Sequence, residues 1–243
     1  MALSFNGTSD LVTIPNSASG QLNFQNSGTM PRPFFSWSLW TNPTDVTAAL
    51  AYMMSKASGG TEQYYVRFNS SQITFGVGGA AASWTFGGSV VNGTWYHLAG
   101  INDTTTMFLY ANGIQQATGA GTNTNSSNFP VTIGGRSSAD RFFPGKIADV
   151  AIWQDILSPI EIKALASGVR PYMIRRGGLK GYWPLDGYVA PANNFLGDLP
   201  GVLTGTSFVT GPPLLSPIQQ YVLPKWVMRK PIVPKPLMGQ IWM

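Results

Sequence analysis

The sequence predicts an all-β protein, an antiparallel two-sheet jelly-roll sandwich with one short helix and an extended C-terminal arm. Three observations predict it. Between residues 3 and 153, short runs that alternate large apolar with small polar residues recur between Gly- and Asn-bearing turns, the period of half-buried strands. Of the 243 residues only 10% are charged, whereas 44% are hydrophobic and 12% aromatic: too apolar for a disordered chain and too charge-poor for a coiled coil. Finally, seven of the 18 prolines crowd into residues 211–243, where a helix or central strand is forbidden.

Taken in order, Leu3-Ser4-Phe5 meets the turn Asn6-Gly7-Thr8-Ser9-Asp10, and Leu11-Val12-Thr13-Ile14 follows. Phe35 to Trp40 alternates cleanly. Further strands are expected at Tyr64 to Phe68, Ile73 to Val77, Trp95 to Ile101, Met107 to Tyr110, Val131 to Ile133 and Ile147 to Trp153. Asn112-Gly113 reads as a two-residue hairpin turn. One helix is expected after the last of these strands. Ser158 is its N-cap, Pro159 its first residue, Glu161 completes a capping box, and Gly168 stops it.

The chain divides into a body, residues 1–210, and an arm, residues 211–243. The arm carries Lys225, Arg229, Lys230 and Lys235 with no acid, and large apolar residues among them. A solvated linker has no use for Trp226 and Trp242, so Tyr221, Trp226, Arg229, Lys230, Lys235 and Trp242 are expected to dock on a partner. Charge follows the same division. Residues 1–135 hold three basic and four acidic residues, and the arm alone supplies four of the net five positive charges. Basic residues spaced by prolines and aliphatics suit a protein surface with an acidic, apolar groove, including strand addition to a sheet edge, better than they suit nucleic acid. No apolar run approaches the roughly 20 residues that span a bilayer, so no membrane partner is expected. The start, Met-Ala-Leu-Ser-Phe-Asn-Gly, shows no signal peptide.

Chemistry is sparse. With no cysteine, disulfides and thiolate sites are excluded, and a single histidine, His97, leaves no zinc set. His97 sits in a strand pattern with nothing resembling a nucleophile elbow, so a structural role is expected. Gly76-Val77-Gly78-Gly79-Ala80-Ala81 mimics a dinucleotide fingerprint, yet strand-like Trp84-Thr85-Phe86 follows where a helix would have to open. Trp84, Trp95 and Trp153 lie in strand-like patterns and are expected in the core.

The ordered set of motifs resembles the laminin-G-like branch of the concanavalin A-like lectin/glucanase superfamily, over about residues 3–165 with a closing segment to about 187. The carriers are Leu3 to Val12, Phe35 to Trp40, Gly93-Thr94-Trp95-Tyr96-His97-Leu98-Ala99, Phe108 to Gly113, Ile133-Gly134-Gly135, Phe143 to Trp153, and Leu157-Ser158-Pro159-Ile160-Glu161-Ile162. The resemblance implies a jelly roll and leaves the function open among lectins, hydrolases, adhesion modules and structural virion proteins. Retaining glycosidases of this fold use a Glu-x-Asp-x-x-Glu strand; with only Glu62 and Glu161 and no such motif, no enzyme is expected. Laminin-G-like domains sometimes bind calcium, and Asp10 and Asp149 fall at acidic positions of the pattern; turn-capping and backbone bonding are the alternative for both. Otherwise no cofactor is expected. A leaderless, cysteine-free jelly roll with an arm also resembles phage capsid decoration (cement) proteins. That resemblance implies a virion capsid surface assembled in a host cytoplasm, a major capsid protein as partner, and a homo-oligomer, with trimers among the expectations. The alternative is a carbohydrate-binding adhesion module on a virion or cell surface.

Overall fold

The computed structural model describes residues 1–16, 20–24, 26–27, 30–31, 33–58, 61–123, 127–186 and 192–215. Within them the strands are β1 (Ala2–Asn6), β2 (Leu11–Ile14), β3 (Asn26–Ser27), β4 (Met30–Pro31), β5 (Phe35–Pro43), β6 (Ala51–Ser58), β7 (Thr61–Phe68), β8 (Gln72–Val77) and β9 (Ala80–Thr85). They continue as β10 (Tyr96–Asn102), β11 (Thr106–Ala111), β12 (Ile114–Ala120), β13 (Val131–Ile133), β14 (Pro144–Trp153), β15 (Leu179–Trp183), β16 (Val202–Thr204) and β17 (Ser207–Val209). One α-helix, α1 (Pro159–Ala166), follows β14. All pairings among the described residues are antiparallel. One sheet runs β12-β11-β10-β5-β14-β1-β17, with β15 pairing the far half of β14, and the other runs β16-β2-β13-β6-β7-β8-β9. The two face each other across one apolar core, as a jelly-roll sandwich requires.

The alternation expected of β5 holds and does two jobs. Phe35, Trp37 and Leu39 fill the inter-sheet core. Ser36 and Ser38 point to the other side, also buried. There Ser38 lines up with Ala99 of β10 and Ala151 of β14, giving a strip of small side chains. Into that strip packs α1 with Ile162 and Leu165, alongside Trp153, Leu157, Val169, Ile174 and Tyr182, a second apolar cluster. The Ser36 hydroxyl donates to the Asp155 carbonyl at 2.7 Å and accepts from the Leu157 amide at 3.1 Å, tying the approach to the helix. The helix has the capping box read from the sequence, and Gly168, at φ +92°, ends it.

The other half of this outer face is closed by the chain's later residues. Row by row, Val209 of β17, Ala2 of β1, Ala148 of β14 and Trp40 of β5 share that side, and Leu214 packs over them. The Leu215 amide then donates to the Gly168 carbonyl at 3.1 Å. Residues 211–215, the start of the expected arm, are therefore a strap laid on the body. Residues 216–243 lie outside the described residues.

Several strands were not foreseen. In β6, Ala51 to Ala57 are all buried, so no alternation is visible; its outward side is roofed by the loop 134–143, which bonds to it through Gly134, Ser137 and Arg141. The Gly-rich run is a hairpin turn at Gly78-Gly79 between β8 and β9, and Trp95 stands one residue ahead of β10. β15, β16 and β17 follow the segment where strands were expected to end, and β16 and β17 cover one edge of each sheet.

At Gly100 in β10, a Cβ would collide with the Trp37 indole. Gly100→Ala is expected to cost about 1–3 kcal/mol by overpacking, read as a lower midpoint in urea unfolding with the slope unchanged.

Candidate functional site

In β7 the residues alternate: Tyr64, Val66 and Phe68 enter the core, whereas Tyr65 and Arg67 face outward. A bulge between Tyr52 and Met54 drops Met53 into the core and sets Tyr52 directly opposite Arg67. Next door in β8 stands Gly76, where a Cβ would run into the Tyr65 ring. The ring lies flat on the strand because that position has no side chain.

Two guanidiniums cover these rings. The Arg67 guanidinium carbon is 4.5 Å from the Tyr65 ring centre and 5.2 Å from that of Tyr52. Arg136, from the loop 134–143, lies 5.5 Å from the Tyr52 ring. Such stacking holds an Arg fork in place while leaving its edge for hydrogen bonds. The Tyr52 hydroxyl donates to Glu62 and accepts from Arg67, and Arg67 and Glu62 are 3.6 Å apart. Arg136 holds Asp140 through two bonds, one at 2.8 Å. Burial, then the bond to Glu62, pushes the Tyr52 hydroxyl up to about 12, so it stays protonated and donating. The fork of Arg136 holds the Asp140 carboxyl down to about 2. The result is a set of paired donors and acceptors on a rigid aromatic base, suited to recognising a polar partner. The strand at Tyr64 to Phe68 was legible, and its outward set, Tyr65 and Arg67, was the signal available; what brings Tyr52 and Arg136 beside it is tertiary.

The two expected metal residues are placed apart in function. Asp10 closes the first hairpin: its carboxylate accepts from the Asn6 amide at 2.9 Å. Asp149 sits buried at a bulge in β14 with φ +50°. Its Oδ1 accepts from Arg170 at 2.7 Å and from the Tyr182 hydroxyl at 2.8 Å. Burial pushes its carboxyl up to about 6, against the pull of Arg170 and Tyr182. Among the described residues the two aspartates share no partner, and no three His, Asp or Glu side chains gather; at Asp149 the neighbouring cation is the Arg170 guanidinium. Tyr221, Trp226, Arg229, Lys230, Lys235 and Trp242 lie outside the described residues.

Trp153 is fully buried, and Trp84 and Trp95 pack half-buried against the clusters beneath them. Lys56, unremarked in the sequence, is buried at the end of the sandwich, its ammonium donating to Asn16 Oδ1 at 2.9 Å and to the Phe129 carbonyl. Burial lowers it to about 8. His97 is 1% exposed, edge-on to Trp40 at 5.4 Å, and its Nδ1 has no hydrogen-bond partner among the described residues.

The family model Laminin_G_3, described as the concanavalin A-like lectin/glucanases superfamily, matches residues 6–163. No curated protein matches the chain. Among solved structures, a putative carbohydrate binding protein from Bacteroides ovatus is similar with a TM-score of 0.64 at 17% identity, covering 85% of this chain and 59% of that one. The chain thus spans about three fifths of that protein's length. A heptameric SAP-like pentraxin from Limulus polyphemus reaches 0.51 at 16% identity over 70% of this chain and 83% of that one. The binding domain of botulinum neurotoxin DC, in complex with rat synaptotagmin II, reaches 0.50 at 14% identity over 68% and 41%. At these identities the likeness is one of fold.

Burial holds His97 neutral down to about pH 3, whereas the unfolded chain protonates it near pH 6.5. The stability this neutrality protects is present above about pH 6.5 and is lost as pH falls towards 3, at up to about 1.4 kcal/mol per pH unit. Asp149, raised in the fold, works in the opposite sense between about pH 6 and 4 and is common to both proteins compared. Urea unfolding of wild type and His97→Gln at pH 7.5, 5.5 and 4.5 is expected to show the wild type losing ground to the variant with each acid step. A pH-independent difference would refute this.

Proposed function

The chain belongs to the concanavalin A-like lectin/glucanases superfamily, and from that membership we propose a non-catalytic binding module that its C-terminal segment tethers in a larger assembly. The observation that carries the tether is the strap. Residues 211–215 cross the outer face of the eight-stranded sheet and bond to the end of α1, so residues 216–243 begin from a fixed point on the body. That segment of 28 residues reaches up to roughly 90 Å when extended. Its Trp226 and Trp242, with four basic residues and no acid, are anchors for a partner offering apolar pockets and an acidic rim. A jelly-roll body held by such a segment is the plan of a capsid decoration protein. A virion surface location, a major capsid protein as partner and a trimeric or other homo-oligomeric state belong to this proposal; nucleic acid, membrane, calcium and other cofactors do not.

Both glutamates are spent structurally, which supports a module without catalysis. Glu62 is held by Tyr52 and Arg67, and Glu161 by the capping box and Arg175. A second reading, recognition of carbohydrate, is favoured by the fold shared with the putative carbohydrate binding protein from Bacteroides ovatus.

The strap also says where to cut. A chain ending at Leu215 is expected to stay folded, with its thermal midpoint within a few degrees of the full chain. Added to capsids stripped of the protein, the full chain is expected to rebind and the shortened one to stay in the supernatant. Equal rebinding would overturn the tether.

A further inference from the structure

Away from the Tyr52 cluster, the turn after β15 holds an aromatic ring out in water. Phe195 is 46% exposed although two of its sides are occupied. One face stacks on Tyr172 at 4.8 Å and 16°, and Tyr182 flanks it at 5.7 Å. What remains exposed is therefore the other face. The ring is fixed as well as exposed. The Phe195 amide donates to the Tyr182 carbonyl at 2.7 Å. Asn194, buried beneath, accepts from the Tyr182 amide at 2.9 Å and the Leu196 amide at 3.2 Å, and donates to Asp198 at 2.6 Å. An apolar ring immobilised in solvent loses little entropy when a ligand covers it.

The same tyrosine leads to a polar group. The Tyr182 hydroxyl donates to Asp149, and Arg170 donates to both Asp149 and that hydroxyl, at 2.7 and 3.2 Å. Asp149 is held at φ +50° inside a long strand, a conformation that costs roughly 1–3 kcal/mol and persists only where the surroundings enforce it. Its other oxygen, Oδ2, is buried with no hydrogen-bond partner among the described residues. The strain serves to seat Arg170, whose side chain remains 23% exposed and whose bonds among the described residues use only Nη1. The rest of the guanidinium fork is left for a ligand.

We propose that Phe195, Tyr172 and Arg170 form a saccharide subsite, resting on the carbohydrate reading above. A pyranose is amphiphilic in the matching way: one face of C–H groups, a rim of hydroxyls. The open Phe195 ring takes the C–H face, and the Arg170 fork donates to rim oxygens. A protein partner would need a broader apolar area than one ring and the neighbouring Leu196 provide.

The test uses the full chain on a microarray of hexoses, N-acetylhexosamines, deoxyhexoses and uronates, followed by titration with the strongest binder. Phe195→Ala is expected to weaken binding at least tenfold, Phe195→Trp to stay within about threefold of wild type, and Ile160→Ala, at an exposed position on α1, to change nothing. Independently of any variant, the Phe195 ring protons are expected to show nuclear Overhauser contacts to the bound sugar. A saccharide bound equally by wild type and Phe195→Ala, with no such contacts, overturns the subsite and leaves carbohydrate recognition standing. No saccharide bound by the wild type overturns both.

Discussion

Everything in this molecule follows from one requirement: both faces of the eight-stranded sheet must be kept from water. A sandwich needs only its inner faces covered, and β5 supplies those with Phe35, Trp37 and Leu39. But β5 also turns Ser36, Ser38 and Trp40 to the opposite side, where two separate pieces of chain close over them. The strip of Ser38, Ala99 and Ala151 is low enough for α1 to approach, and Trp40 with Ala148 is left for the strap. At the bulge between Ala148 and Ala151, where the two coverings meet, the β14 backbone turns Asp149 into the left-handed region and Arg170 answers it. The ion pair of buried Asp149 with Arg170 thus sits where two covers are joined over one strand. His97, on the strap-covered half beside Trp40, is kept neutral by burial.

The seven-stranded sheet meets a related problem with different chemistry. Among the described residues its outer face carries no helix. Tyr52 and Tyr65 bury their rings beneath Arg67 and Arg136, whose forks are held by Glu62 and Asp140. An Arg covers an aromatic ring as an aliphatic would, yet presents donors outward. One sheet is therefore sealed with apolar cover and the other with a polar one.

The sequence disclosed the parts whose rules are local. Alternation revealed β5, Asn112-Gly113 revealed the β11–β12 hairpin, and Ser158 with Glu161 revealed the helix start, because each depends on residues a few positions apart. β6 was hidden because its outward side is roofed by a loop some 80 residues later, and a strand buried on both faces has no period to read. The candidate sites were hidden for the same cause. Tyr52 meets Arg136 only through a bulge and that same loop, and Phe195 meets Tyr172 only after β15 has paired with β14. Asp149 shows the limit from the other side. Its acidic position in the pattern was visible, but the Arg170 that bonds its Oδ1 comes from beyond the helix.

The strap changes what a C-terminal segment can do mechanically. A flexible tail hung from the edge of a sandwich would transmit little orientation, because its first residues would sample many directions. Here Leu214 packs on the Trp40 cluster and the Leu215 amide is bonded to the helix end, so the exit point and its direction belong to the body. Under the proposed tether, a partner gripped by residues 216–243 holds the body in a defined attitude. The strap and α1 together cover the outer side of the eight-stranded sheet, so the Tyr52 face, on the outer side of the other sheet, lies across the sandwich from the strap. Under the proposed tether, a rigid sandwich needs no hinge to present either the Tyr52 face or the Phe195 ring in a fixed orientation.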